Sequence, residues 1–222
     1  MNALHFQNEF DHRLHRTPLG LLPGVTTVLS NTADKGFVDR WRAKVGAEAA
    51  DLILAMSIDR GNNLHAYIES YFEGKEFIPQ ITYPDNEAHL ERMVAVIKPY
   101  IEAIEPLHIE IPTWHSLGFG GSPDCVGLID GKVTIFDWKN SLKPKKEAYI
   151  ADYYLQTAAY SLSVEYTLGV RPIQTRIAVA AIHGTDGVIL QEFKIDEHEL
   201  EMVQNAFIRR LQKYQARFPS QF

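Results

Sequence analysis

The chain has 222 residues, a hydrophobic fraction of 45% and a formal net charge of −6. This length and apolar content predict one globular domain, residues 1–222, with an ordinary packed core. The acidic balance argues against a protein that coats nucleic acid through bulk charge, although it leaves room for a local basic groove. The single cysteine, Cys125, excludes an internal disulfide, a zinc site built from several cysteines and a four-cysteine iron–sulfur cluster.

The sequence has neither the pattern of a membrane-spanning helix nor that of a secretory signal. No apolar run approaches the roughly 18 residues of a membrane-spanning helix. The N-terminal stretch contains Glu9 and Asp11 and lacks the apolar centre of a secretory signal. We therefore expect a soluble, intracellular protein with a cytoplasmic location and no membrane partner.

The first part of the chain, residues 1–104, is predicted to be mainly helical. The predicted elements are a turn and short helix at 21–30, a helix at 34–46, two helices within 47–74 and a helix at 86–104. Thr26 or Thr27 is a candidate cap for the first helix. The two helices within 47–74 are expected to separate near Asp59 to Asn62, and Pro99 is expected to kink the last helix.

The second part, residues 105–222, changes from helical to strand-like periodicity. The predicted strands are 107–116, 122–129, 132–138, 173–183 and 187–195, and the predicted helices are 148–169 and 196–218. The last two strands are expected to form a hairpin around Gly184 to Asp186. Leading helices followed by strands and flanking helices indicate an α+β fold with helices packed on a sheet.

The segment 122–141 predicts a β-hairpin with an unusual charge pattern. Asp130-Gly131 favours a type I′ turn, because both central positions of that turn need positive φ. The turn sets the register, so Asp124 is expected to lie opposite Asp137. Like charges at facing positions are destabilising. Lys139 follows Asp137 by two residues and therefore shares its face of the strand.

A divalent cation between the two carboxylates would explain this arrangement. Mg²⁺ takes carboxylate oxygens together with substrate phosphate, and the carbonyl of Trp138 offers a further ligand. Lys139 would then orient a water molecule or stabilise charge on a phosphate. The alternative is a simple ion pair, in which Lys139 neutralises one aspartate and the other is solvated at the strand end.

The order of several motifs resembles the PD-(D/E)XK nuclease superfamily. The matching core residues are "GSPD" at 121–124 and "DWK" at 137–139. "GNNLHAYIE" at 61–69 is similar to the helix that supplies a histidine metal ligand in the RecB-like branch, and "QTAAY" at 156–160 is similar to its Q-x-x-x-Y motif. "PGVTTVL" and "DRWRAKVG" extend the resemblance to the mitochondrial genome maintenance exonucleases and their phage and bacterial relatives.

This resemblance implies a restriction-endonuclease-like core, with a central mixed β-sheet flanked by helices. It implies a Mg²⁺-dependent DNA exonuclease that digests single strands from an end during replication, repair or recombination, and it suggests a bacterial or phage-like source. Asp124, Asp137 and Lys139 would be catalytic. The metal ligands would be His65, Asp124, Asp137 and the carbonyl of Trp138, with Mn²⁺ able to replace Mg²⁺ and no iron–sulfur cluster.

Five further residues are candidates for support or substrate binding. Glu69 shares a helix face with His65 and would orient it, unless the two form an ordinary surface pair. Gln156 and Tyr160 would contact the substrate phosphate or support Lys139, unless they belong to a half-buried core face. Lys143 and Lys145 lie in a basic loop that would hold the DNA backbone.

Two other assignments stay open from the sequence. Glu110, on the strand before the hairpin, would support the site in the nuclease interpretation, but the pattern favours a solvated strand residue. Cys125 alternates with Asp124 and is therefore expected in the core. For the whole chain, the alternatives to an exonuclease are a catalytically inactive DNA-binding or scaffold module and a structure-specific endonuclease.

Overall fold

The computed structural model describes residues 5–7, 12–34, 36–184 and 187–219. Within these residues the strands are β1 (His5–Gln7), β2 (Arg13–Thr17), β3 (Gly20–Pro23), β4 (Glu105–Ile109), β5 (Thr113–His115), β6 (Phe119–Gly121), β7 (Cys125–Ile129), β8 (Lys132–Ser141), β9 (Gln174–His183) and β10 (Gly187–Ile195). The helices are α1 (Val25–Thr32), α2 (Gly36–Val45), α3 (Ala47–Phe72), α4 (Glu87–Ile101), α5 (Ala151–Leu168) and α6 (Glu197–Arg217). Among the described residues, none of these helices is both long and apolar enough to cross a membrane.

The central sheet has five strands in the order β10-β9-β8-β7-β4. Strands β8 and β9 run parallel, because α5 crosses over between them, whereas the other neighbouring strands are antiparallel. The predicted central mixed sheet flanked by helices is therefore confirmed.

Apolar side chains cover both faces of this sheet. On one face, α3 and α4 place residues such as Leu64 and Ile97 against Phe136 and Trp138 of β8. On the other face, α1, α5 and α6 pack on Val126 and Ile135. Cys125 is fully buried in the first of these clusters, which confirms its predicted core position.

The β7–β8 hairpin has the predicted turn and register. Asp130 and Gly131 have φ values of 53° and 71°, as a type I′ turn requires. The ladder pairs Ile129 with Lys132 and ends at Cys125 opposite Phe136. Asp124 is thus the first residue beyond the ladder, on the side of Asp137.

The predicted break near Asp59 to Asn62 is wrong, since α3 is one continuous helix. The helix-weakening residues serve contacts with other parts of the chain. The carboxylate of Asp59 accepts hydrogen bonds from the Thr82 amide nitrogen at 3.0 Å and the Asn86 side chain at 2.7 Å. Gly61 lets α3 approach β8, because a Cβ at this position would lie 2.8 Å from Nδ2 of Asn140.

Three other local expectations differ from the structure. The segment 107–116 is not one strand, because the chain turns at Glu110, whose φ is 48°, before β5 pairs with β6 in a separate sheet. The cap of α1 is Gly24, with no side-chain cap bond, while Thr27 Oγ1 donates to the Arg13 carbonyl on β2. The three-stranded sheet β1-β2-β3 was not expected in the helical leading part.

The second predicted hairpin forms between β9 and β10, and Pro99 lies within α4. β9 and β10 pair from His183 opposite Gly187 to Thr175 opposite Ile195, as expected for a hairpin. The turn predicted at Gly184 to Asp186 lies partly outside the described residues. Pro99 lies in the last turn of α4.

Candidate active site

The hairpin brings together the three charged residues of the D…D-x-K pattern. Asp137 is fully buried on β8, and the ammonium group of Lys139 lies 2.7 Å from its Oδ1 and 2.6 Å from its Oδ2. Asp124 is also buried, and its Oδ2 accepts a hydrogen bond of 2.7 Å from the backbone N–H of Trp138. Asp124 is therefore fixed to the strand that carries Asp137 and Lys139.

Helix α3 places His65 at the open end of this hairpin. Its Nε2 lies 2.9 Å from the carbonyl oxygen of Trp138, which makes Nε2 the donor. Its Nδ1 faces two carboxylates, 3.7 Å from Oδ1 of Asp124 and 4.0 Å from Oε1 of Glu110. One potential ligand atom from each of His65, Glu110 and Asp124 lies within 4.8 Å of the others.

Glu110 belongs to this cluster, and its side chain is also exposed, as the sequence pattern predicted. Its backbone N–H donates to the carbonyl oxygen of Asp124 at 3.2 Å, which extends the pairing of β4 and β7 by one bond. Its positive φ then ends the strand. A non-glycine residue in this region of φ is uncommon and is held there by its surroundings.

The donor set fits a hard divalent cation. Carboxylate oxygens with an imidazole nitrogen are suitable ligands for Mg²⁺ or Mn²⁺. Asp137 is not one of the three clustered groups, and its buried carboxylate contacts the ammonium group of Lys139 through both oxygens. A carboxylate beside the cluster has the ligand chemistry that a hard cation prefers, so Asp137 remains a candidate ligand.

The pKa values show how strongly these groups depend on one another. Burial raises the pKa of Asp137 to about 6, against the opposing effect of Lys139. Burial lowers the pKa of Lys139, but the carboxylates of Asp137 and Asp124 outweigh this effect and raise it. Burial also lowers the pKa of His65, but Asp124 and Glu110 raise it to about 9. Without a cation, the positive charges of His65 and Lys139 therefore offset part of the negative charge of the three carboxylates.

Helix α5 supports the site from the sheet face that carries Asp137. Nε2 of Gln156 donates a hydrogen bond of 2.9 Å to Oδ1 of Asp137, so Gln156 holds the aspartate rather than the lysine. Tyr160 is buried one turn later and packs against Gly121, where a Cβ would lie 3.0 Å from its ring. The ring nitrogens of His65 face Trp138, Asp124 and Glu110, so Glu69 does not orient this ring.

The basic loop after β8 is anchored near the far edge of the sheet. Oγ of Ser141 donates to the Lys143 carbonyl at 2.7 Å, and the Lys145 backbone exchanges two hydrogen bonds with the Gln191 side chain on β10. The Lys143 side chain is exposed. Lys145 is half-buried, and burial lowers its pKa.

Two cavities of about 560 Å³ each meet at the cluster, and both are lined by His65, Glu69, Glu110 and Lys139. One extends between α3 and α5 to Tyr153. The other extends towards Thr26 at the start of α1. Glu69 thus belongs to the cleft wall. The sequence did not single out Tyr153, although its spacing of three residues from Gln156 places both on one helix face.

Comparison with known proteins gives two relatives in sequence. Mouse (Mus musculus) mitochondrial genome maintenance exonuclease 1 is 23% identical over 209 residues, which are 87% of this chain and 59% of that protein. The human (Homo sapiens) protein of the same name is 27% identical over 157 residues, which are 63% of this chain and 43% of that protein. The match thus spans less than two thirds of each relative.

A structural comparison adds a weaker likeness. The phage-related exonuclease of Haemophilus somnus aligns with a TM-score of 0.38 and 15% identity, over 71% of this chain and 81% of that chain. No protein-family model matches the sequence. The similarity in sequence confirms the predicted resemblance to the mitochondrial genome maintenance exonucleases and supports a PD-(D/E)XK-like nuclease.

Proposed function

We propose that this protein is a Mg²⁺-dependent nuclease that hydrolyses phosphodiester bonds of DNA, from the ends of single strands. The observation that carries the proposal is the cluster of His65, Glu110 and Asp124 beside the ion pair of buried Asp137 and half-buried Lys139. Relatives named as exonucleases support the same reaction class. Replication, repair or recombination of DNA would be its setting, and Mn²⁺ would replace Mg²⁺.

Several side chains of the site are candidate ligands for the cation. His65, Glu110 and Asp124 would hold the cation, with Asp137 and the Trp138 carbonyl as the remaining candidate ligands. When bound, a divalent cation lowers the pKa of a coordinated water and neutralises charge on the attacked phosphate.

Lys139 has the position and the charge for a role at the phosphate. Its ammonium group stays protonated, because the two aspartates raise its pKa, and it would orient the attacking water and stabilise the charge that develops on the phosphate. Gln156 keeps Asp137 oriented for this pairing through the hydrogen bond to Oδ1. Lys143 and Lys145 would bind the DNA backbone farther from the reacting atoms.

A nuclease assay with labelled DNA tests the proposal. The substrates are linear single-stranded DNA labelled at either end, linear duplex DNA and circular single-stranded DNA, each with Mg²⁺, Mn²⁺ or a chelator. The proteins are the wild type, Lys139→Ala and the control Lys132→Ala, which changes an exposed lysine at the other end of β8. We expect linear single strands to be shortened from one end by the wild type and the control only, and only with metal.

Other outcomes separate the alternatives. Cleavage of circular DNA would identify an endonuclease. A wild type that is inert on every substrate with both metals would contradict the proposal and favour an inactive module that binds DNA or a partner protein. Activity that survives in Lys139→Ala would contradict the role of this lysine.

A further inference from the structure

The cavity between α3 and α5 has features that the hydrolysis of a phosphodiester does not require. We propose that it binds the unpaired nucleobase next to the scissile phosphate, and that Tyr153 provides the stacking surface. This inference rests on the proposed nuclease function and gives its substrate preference a structural origin.

The walls of the cavity offer apolar surface that the protein itself leaves uncovered. On the α3 side, Ile58 is 54% exposed although it lines the cavity. On the α5 side, the half-buried ring of Tyr153 lines the same space. A base has two flat apolar faces, and stacking on an aromatic ring with an aliphatic contact opposite is a common way to bind one.

The cavity is continuous with the candidate catalytic groups. His65, Glu110 and Lys139 all contribute to its lining. The ammonium nitrogen of Lys139 lies 5.5 Å from the centre of the Tyr153 ring, while the same nitrogen contacts Asp137. Lys139 therefore links the aromatic surface to the buried aspartate, so a base stacked on Tyr153 would have its phosphate near the lysine.

Two residues leave space at the floor of the cavity. Gly61 has no side chain to fill it, and the Asn140 side chain is hydrogen-bonded to Ser57. Its Nδ2 donates to the Ser57 carbonyl at 3.2 Å, and its Oδ1 accepts from the Ser57 hydroxyl at 3.4 Å. Asn62, which is exposed, is the remaining amide in the lining. Stacking uses the flat face of a base rather than its hydrogen-bonding edge, so we infer that the site requires a base without selecting its identity.

Stacking on Tyr153 also requires that the base leave its neighbours. A base within a duplex is stacked and paired, and extruding it costs a few kcal/mol, whereas a base in a single strand is free to enter. The inferred subsite would thus favour single strands through the base rather than through the phosphate backbone.

The test compares a normal nucleotide with an abasic one at a single position. End-labelled single-stranded DNA carries one tetrahydrofuran residue in its interior and is digested by the wild type, Tyr153→Leu, Tyr153→Phe and the control Tyr166→Leu. Leucine keeps apolar volume but removes the aromatic face, whereas phenylalanine keeps both. Tyr166 lies on the same helix, at a position that is 47% exposed.

We expect the wild type to cleave at the abasic residue roughly tenfold more slowly than at a normal nucleotide, and so to pause there. This factor corresponds to the loss of one stacking contact. Tyr153→Leu should slow every normal step by a similar factor and lose the pause. Tyr153→Phe, which keeps the aromatic face, should retain the pause, and the control Tyr166→Leu should digest DNA like the wild type. Equal slowing of normal and abasic steps in Tyr153→Leu, or no pause in the wild type, would overturn the inference and leave Tyr153 with a structural role.

A binding measurement separates this inference from the proposed function. Fluorescence anisotropy with Ca²⁺ compares an oligothymidylate with an abasic strand of the same length, using the wild type and Tyr153→Leu. Base-dependent binding without cleavage on any substrate would refute the nuclease but support the subsite. Cleavage without base dependence would refute the subsite alone, and the absence of both would refute both.

Discussion

The ion pair between buried Asp137 and half-buried Lys139 makes a testable prediction for protein stability. Asp137 is fully buried, and its carboxylate contacts the ammonium group of Lys139 and the amide of Gln156. The variant Lys139→Met keeps most of the side-chain volume but leaves this carboxylate without its cation. Removing one partner of a buried ion pair costs about 3–5 kcal/mol, because the remaining charge is uncompensated.

A loss of this size would be easy to measure in a chain of 222 residues. Each kcal/mol corresponds to about 2–4 °C in Tm for domains of this length, so we expect a decrease of roughly 6–20 °C. The double variant Asp137→Asn with Lys139→Met removes the charge as well, and it should recover most of the stability while remaining inactive.

The effect should depend on pH in a defined direction. Burial raises the pKa of Asp137, and Lys139 opposes that shift, so removing the lysine raises this pKa further. A carboxyl group whose pKa is higher in the folded than in the unfolded protein keeps its contribution to stability below the unfolded pKa and loses it as the pH rises through the folded pKa. The loss of stability in Lys139→Met should therefore be smaller at pH 5 than at pH 8, by at most about 3 kcal/mol, because the wild-type pKa is about 6 and one pKa unit corresponds to about 1.4 kcal/mol.

Urea denaturation at pH 5 and pH 8 with a chelator measures these differences. The wild type, Lys139→Met, Asp137→Asn and the double variant form a double-mutant cycle. The control is Lys132→Met, which removes an exposed lysine from the same strand and should change the unfolding free energy little. Two additive single effects, or a loss in Lys139→Met that is equal at both pH values, would refute the idea that the lysine compensates a buried carboxylate.

Three further predictions concern the neighbouring groups. Gly61→Ala gains about 1 kcal/mol of helix propensity, but its Cβ would clash with the Asn140 side chain. Stability should therefore change little while nuclease activity falls. Adding Asn140→Ala to this variant should restore part of the nuclease activity. Because the pKa of metal-free His65 is about 9, Mn²⁺ must displace a proton at neutral pH. Its affinity, measured by calorimetry, should rise about tenfold per pH unit from 7 to 9, and His65→Gln should abolish this dependence. Burial raises the pKa of the Cys125 thiol to about 12, so iodoacetamide at pH 8 should alkylate the protein only after unfolding in urea, as mass spectrometry would show; rapid labelling of the native chain would contradict its burial.

The hairpin was predictable because its determinants are local. Asp130-Gly131 selects one turn type, that turn sets the register, and alternation then places Lys139 on the face of Asp137 and Cys125 in the core. Periodicity predicted the individual strands and the helix at 148–169 for the same reason, whereas the mixed central sheet was implied by the family resemblance. These features depend on residues that are close in sequence.

Features that depend on distant residues were not predictable in the same way. Asp59 and Gly61 weaken an isolated helix, but in the fold they serve contacts with Asn86 and Asn140, and the helix continues through them. Glu110 reads as a solvated strand end, and only the packing of α3 against the sheet brings His65 to it. Tyr153 was not singled out from the sequence, because the cavity that it lines forms only where α3 and α5 come together.

Long-range contacts connect the leading helical part of the chain to residues 105–222. The leading part supplies His65, whose Nε2 bonds to the Trp138 carbonyl, and Ser57, whose backbone and hydroxyl bond to Asn140. The same helix buries Leu64 and Ile68 against the sheet. Because a candidate metal ligand, part of the cavity wall and core packing all come from α3, residues 105–222 alone would lack His65 and expose the sheet face that α3 covers. This dependence supports the prediction that residues 1–222 act as one nuclease domain, in which the helical part completes the active site.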